Sequence, residues 1–224
     1  MKPGQRNCLP RLPEGVYIPF KTPWPVILRA GRLSLAPLRR EHLRQWYQVR
    51  WDNRYWTGPW DASRPSQSPR LDDSYLGWLR RLNKQAKAGE SLPWALWWDD
   101  ELIGQVSVSS ISYGSAQNAS IGYWIAQSYA GRGLTPIAVA LASDYLWRSL
   151  LLHRIEIPIR PENQPSLRVV EKLGFRDEGL RPRFLHIDGD WRDHRIFALN
   201  DEEVPGGLVP RYFAGRNAAE MGLL

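Results

Sequence analysis

At 224 residues, with 43% hydrophobic and 24% charged content, the chain is long enough for one globular α/β domain plus extensions, and disorder is excluded as its dominant state. The net charge of +7 comes from basic residues scattered among acids, and the densest patches, Arg39-Arg40 and Arg80-Arg81, are short, so direct nucleic-acid binding is not expected. The single cysteine, Cys8, excludes an internal disulfide, and no run approaches the ~18 apolar residues of a membrane span, so a cytoplasmic location is the default expectation.

Residues 1 to 26 carry six prolines and are read as an extended arm, 27 to 203 as the domain, and 204 to 224 as a tail with few core candidates. Within the domain, Leu33 to Leu38 alternates as a first strand and Glu41 to Trp51 has helical spacing. Trp46, Trp51, Trp56 and Trp60, interleaved with Arg44, Arg50 and Arg54, are read as aromatic packing around that helix and its exit, with base stacking as the alternative. Thr57 to Arg70 is a long loop, and Asp72 to Ala88 a helix with Tyr75, Leu76, Leu79 and Leu82 on one stripe. Ala95 to Trp98 and Leu102 to Ser110 flank Asp99-Asp100-Glu101 as a hairpin, and Ser120 to Ile125 is a further strand.

The segment that follows carries the chemistry. Tyr129-Ala130-Gly131-Arg132-Gly133-Leu134-Thr135-Pro136 reads as a glycine turn opening an apolar helix, with Thr135 as N-cap and Pro136 at the first helical position. Two close glycines let the backbone approach a ligand, and the helix start offers unpaired N–H groups to an anion, so a phosphate-bearing ligand is expected. No Gly-Lys-Ser/Thr follows, which excludes a Walker loop. Downstream, Arg154 to Arg160 alternates as a second strand, and Asn163-Gln164-Pro165-Ser166 opens a helix that ends at Leu173-Gly174-Phe175. Pro158 cannot donate to a ladder, so its strand lacks a partner at that point.

With these motifs in series, the chain resembles the GNAT superfamily of acetyl-CoA-dependent N-acetyltransferases, whose hallmarks are the Gly-x-Gly turn, the Asn-x-x-Ser helix start and the Leu-Gly-Phe helix end. Phe184 to His194 and Leu33 to Arg39 extend the likeness to the group that acetylates the N-termini of ribosomal proteins. The resemblance implies an α/β fold with a mixed, mostly antiparallel sheet splayed between two central strands and flanked by about four helices. It implies acetyl-CoA as cosubstrate, held by Tyr123, Trp124, Ile125, Gly131, Arg132, Gly133, Leu134, Thr135, Asn163 and Ser166, and a protein N-terminus as acceptor. Where the superfamily often has Gln or Arg three residues before the first glycine, this chain has Ser128.

Chemistry by resemblance is direct attack of a free amine on the thioester. An α-amine, with a reference pKa of about 8, is partly neutral near pH 7.5, so an N-terminal acceptor needs only a modest base. Where many relatives place Glu before Ile-Gly-Tyr this chain has Ser120, and where a serine-directed relative has Glu it has Leu185. Candidates for the base are therefore Asp188, Asp190, His194, or water relayed by Ser120, while Asp188 also fits the turn of an Asp-Gly hairpin. Ser166 or Tyr123 would stabilise the departing thiolate, and the backbone N–H of Ile125 the oxyanion. The four histidines lack partners at zinc spacing, so no metal is expected. Two other readings stand beside the first: acetylation of a small-molecule amine, and a non-catalytic ribosome- or RNA-associated module that keeps the fold.

Overall fold

The alternating segment at Leu33 is one arm of a hairpin whose other arm, with Leu28 and Ala30 buried, precedes it across the turn at Gly31. The computed structural model of the protein describes residues 16–17, 24–68, 74–214, 216 and 223. In chain order its strands are β1 (Val16–Tyr17), β2 (Leu28–Ala30), β3 (Leu33–Pro37), β4 (Leu92–Trp98), β5 (Glu101–Ser112), β6 (Asn118–Ile125), β7 (Arg154–Ile159), β8 (Arg176–Ile187) and β9 (Asp190–Asn200). The helices are α1 (Leu43–Asp52), α2 (Arg54–Thr57), α3 (Tyr75–Lys87), α4 (Leu134–Arg148), α5 (Gln164–Leu173) and α6 (Leu208–Phe213). The described strands form one sheet in the order β1-β2-β3-β4-β5-β6-β7-β9-β8. The β6–β7 pair is parallel and the other pairs are antiparallel.

Helices cover both faces of the sheet. On one face α4 is apolar all round, and every residue from Leu134 to Arg148 except Thr135 and Arg148 is buried, as expected of a helix sandwiched between layers. The larger core joins it to the inward residues of β2 to β7 and to Val169, Val170 and Leu173 of α5. On the other face a smaller cluster, Leu38, Ala95, Trp97 and Leu102, receives Trp46 and Val49 of α1 and Trp78 and Leu79 of α3.

Three expectations are corrected here. Val16 and Tyr17, within the segment read as an arm, add a strand by pairing with Ala30 and Arg29, and Val26 is buried with its carbonyl accepting from the indole of Trp94 at 2.9 Å. Residues 1–15 and 18–23 of that arm, Cys8 included, lie outside the described residues. The C-terminal segment is not a tail poor in core: Leu208, Val209, Tyr212 and Phe213 of α6 are buried. The cause is Asp144, which interrupts the apolar run of α4 and whose carboxylate accepts from the N–H groups of Leu208 (2.6 Å) and Val209 (3.0 Å). This caps a helix from another helix's interior, and Arg148, one turn on, donates to the carbonyl of Gly206 at 2.8 Å. Finally, α2 and α6 raise the helix count above the four expected. Helix α3 starts at Tyr75, capped by Ser74 through the N–H of Gly77 at 3.1 Å.

Candidate active site

Strands β6 and β7 pair over three positions, from Asn118 opposite Arg154 to Ser120 opposite Glu156, and then part. The backbone on each side is turned into the resulting gap. The N–H of Ala126 donates to the carbonyl of Ile103 at 2.7 Å, which makes the Gly104–Ile125 pair a non-hydrogen-bonded one. The amide and carbonyl of Ile125, and by the period of two those of Tyr123, therefore point away from β5 and toward β7. Across the gap, the bond from the Asp201 N–H to the His153 carbonyl (3.0 Å) gives Arg154 and Asn200 the same kind of pairing, so the nitrogen of Pro158 faces β6. Proline's missing donor thus removes no ladder bond, as the sequence requires.

At the end of β6 the chain enters the glycine turn. Gly131 and Gly133 have φ of +79° and +80°, a region that favours glycine. The N-cap of α4 is Gly133, not Thr135, so Leu134 is the first helical residue and Pro136 stands at the third, where its N–H would be unpaired in any case. The first-turn amides of Leu134 and Thr135 and the turn itself open onto a small cavity of about 120 Å³, whose lining includes Gly131, Gly133, Thr135, Arg168 and Lys172. Arg168 and Lys172, one turn apart on α5, went unmarked in the sequence because nothing there shows which face of that helix meets the turn. Arg132 is folded back, donating to the carbonyl of Ser128 at 2.7 Å and stacked 4.6 Å from the ring centre of Tyr129.

A second cavity of about 460 Å³ continues the groove, sharing Trp56, Ile125, Thr135, Pro165 and Val169 with the first. Tyr123, Trp124, Asn163 and Ser166 line it. Asn163 caps α5, its side-chain oxygen accepting from the Ser166 N–H at 3.2 Å, so one residue both starts the helix and borders the cavity. The Tyr123 hydroxyl donates to the Ser166 carbonyl at 3.3 Å, and burial raises its pKa, so the phenol is neutral at working pH.

The far wall comes from the segment read as packing and loop. Trp46 stacks with Trp78 and Trp124 at 4.7 and 6.0 Å, as aromatic packing predicts, and Trp51 is exposed. Trp56 and Trp60 instead line the cavity, together with Tyr55, Pro59 and Asp61. The Trp56 indole donates to the Ile125 carbonyl at 3.0 Å, and Asn53, at the α1–α2 break, accepts from the Gln127 N–H at 2.8 Å. Arg160 donates to the Pro59 carbonyl at 2.7 Å, Ser63 N–H to the His186 carbonyl at 2.9 Å, and Ala62 bridges Ile187. The wall is thereby fastened to β6, β7 and β8.

The candidates for a base do not reach the cavity. Ser120 sits where β6 and β7 are still paired. Asp188, at φ +48°, is a turn residue of the two-residue Asp188-Gly189 hairpin, and Asp190 accepts from the Trp191 N–H at 2.8 Å. His194 is buried against the Arg192 carbonyl (2.9 Å), and burial lowers its pKa. None of the four is in the lining. The missed polar group is Asp61, in a loop that Arg160, His186 and Ile187 hold from elsewhere in the chain.

Unpaired amides along a parted strand, two left-handed glycines and a helix start at one end, and basic side chains beside them fit a long ligand with amides along its length and phosphates at its end. Such features suit an acyltransferase of the GNAT type, and the comparisons show that family. Residues 32–176 match the family described as "Acetyltransferase (GNAT) domain". The [Ribosomal protein uS5]-alanine N-acetyltransferase of Escherichia coli (strain K12) is 34% identical over 164 residues, covering 69% of this chain and 81% of that protein. The probable N-acetyltransferase YjcK of Bacillus subtilis is 44% identical over 101 residues, 45% of this chain and 56% of that protein, and the spermidine N(1)-acetyltransferase of E. coli is 29% identical over 170 residues, 73% of this chain and 83% of that protein. Among solved structures, Mycobacterium smegmatis RimJ in complex with CoA-disulfide has a TM-score of 0.78 at 33% identity, covering 86% of this chain and 95% of that one. The chain belongs to the GNAT acetyltransferase family and is an acetyl-CoA-dependent N-acetyltransferase.

Proposed function

We propose that the protein transfers the acetyl group of acetyl-CoA to the N-terminal α-amine of a protein, with a ribosomal protein that begins with Ala, Ser or Thr as the first candidate. The observation that carries this reading is the lining of the 460 Å³ cavity: aromatic, small and neutral side chains with one carboxylate, Asp61. Such a site suits one amine on a small residue, whereas a polyamine has several cationic groups that call for several acids. The relatedness to a uS5-alanine acetyltransferase supports the same acceptor class.

In this reading the amine nitrogen, having lost a proton to water, attacks the thioester carbon; the C–N bond forms, the C–S bond breaks, the thiolate leaves, and the second proton shed by the nitrogen passes to the thiolate or to solvent. The Ile125 N–H, turned into the gap, serves the oxyanion, and the neutral Tyr123 phenol or Ser166 hydroxyl serves the thiolate. Arg168 and Lys172 join the glycine turn in holding phosphates. Ser120 and His194 have no part, and solvent takes the proton of an amine that titrates near neutrality.

The test is thiol release from acetyl-CoA against short peptides that differ in their first residue, with an N-blocked, lysine-containing control and a set of polyamines. Selective turnover of free Ala, Ser or Thr N-termini is expected. Turnover confined to polyamines would replace the reading with small-amine acetylation.

A further inference from the structure

We propose that Asp61 is the subsite for the acceptor's α-amino group, with Trp56, Trp60 and Trp124 as its walls; this rests on the N-terminal acceptor proposed above. Among the residues lining the larger cavity, Asp61 is the one with a formally charged side chain. Its hydrogen-bond and ion-pair partners both fall on one oxygen: the Arg50 guanidinium and the Thr57 hydroxyl (3.5 Å) meet Oδ2. No described residue donates to Oδ1, which leaves that oxygen for a ligand N–H. Tryptophans and one carboxylate in the lining of one cavity form a setting that recognises an amine or a single alkylammonium group.

The residue is held for such a task. Its own N–H donates to the Gly58 carbonyl at 3.1 Å, and the next residues are fastened to β8 through Ala62 and Ser63. Arg50, which grips Oδ2, lies 5.0 Å from the ring centre of Trp124 on β6. A carboxylate that only pinned the loop would need no place in the cavity wall. The guanidinium also has a chemical consequence. A carboxylate alone would favour the ammonium form of the acceptor, which cannot attack, and the Arg50 guanidinium on the same carboxylate opposes that pull.

The decisive experiment is Asp61→Asn in the full-length protein, with peptide KM and kcat from thiol release and acetyl-CoA affinity from calorimetry. Loss of one charge-assisted hydrogen bond is expected to raise peptide KM by about tenfold or more, with kcat changed less than threefold and acetyl-CoA affinity held within twofold. Unchanged peptide KM, or a rise matched by loss of acetyl-CoA affinity, overturns the assignment in favour of a loop-pinning role. A second measurement needs no variant: binding to the wild-type enzyme–CoA complex of an Ala-initiated peptide and of its des-amino analogue, with a propanoyl group in place of alanine. Tenfold weaker binding of the analogue is expected, and equal affinity overturns the subsite. If the wild type acetylates polyamines and no peptide, the acceptor reading fails separately, and the Asp61→Asn effect on polyamine KM still decides the subsite.

Discussion

The indole of Trp56 donates to the carbonyl of Ile125, joining the wall over the groove to the strand whose amides line it. A neutral hydrogen bond of this kind contributes about 1 kcal/mol to stability, and this one also sets the width of the groove. Trp56→Phe keeps most of the apolar surface and removes the donor. It should lower Tm by about 2–4 °C in a thermal melt and raise KM for acetyl-CoA or acceptor several-fold. A full-activity variant with only the lower Tm would limit Trp56 to a structural tie.

Gly131 tests the phosphate turn. A Cβ there would meet nothing within 4 Å, so alanine acts through backbone conformation and the loss of close approach, not through a clash. Holding an L-residue at positive φ costs roughly 1–2 kcal/mol. Gly131→Ala should weaken acetyl-CoA binding about tenfold by calorimetry while the circular dichroism spectrum stays native. Unchanged affinity would move the anion site elsewhere.

Tyr123→Phe and Ser166→Ala separate chemistry from scaffold. The phenol is a neutral donor in the cavity, bonded to the Ser166 carbonyl, and the proposed mechanism gives it or the Ser166 hydroxyl the thiolate. Tyr123→Phe should reduce kcat about tenfold with acetyl-CoA affinity within twofold. Ser166→Ala should likewise reduce kcat without a Tm change, because the cap of α5 comes from the Asn163 side chain bonding the backbone N–H of Ser166. A Tm loss of about 1 kcal/mol equivalent belongs instead to Asn163→Ala.

Asp144 gives a pH signature. Burial pushes its carboxyl up to about 6, against the pull of the two amides it caps. A folded-state pKa above the unfolded one means that the native state binds the proton more tightly. Its contribution is fully present below about pH 4 and is lost as pH rises through about 6, an effect on the order of 2–3 kcal/mol. Glu178, held down at about 2 by Arg154, acts with the opposite sign and below pH 4.5. Between pH 4 and 6, Asp144→Asn should flatten the decline of stability with pH seen in urea melts.

The sheet, the glycine turn and the Asn163 cap were legible in the sequence because each is set by local chemistry: alternation, conformational freedom, or a side chain reaching its own backbone. Gly133 displaced Thr135 as N-cap because the left-handed glycine already ends the turn, a conformation that residue types alone do not fix. Trp56 was read as packing, and Arg168 and Lys172 escaped notice, for a different reason. Their roles depend on which distant strand or turn they meet, as in the bond from Trp56 to Ile125, 69 positions along the chain. The C-terminal helix was hidden likewise, its buried partner Asp144 lying 64 residues before Leu208.

That last pairing sets an order on assembly. Helix α4 runs through the middle of the larger core, yet the donors that satisfy its carboxylate are made some sixty residues later. A nascent chain that has packed α4 against β2 to β6 still holds an acid with no amides to meet it. The protonated form is the cheaper one until Leu208 and Val209 arrive. Synthesis from the N-terminus thus supplies the amides for the acid at the centre of the molecule only with the six-residue helix near its far end.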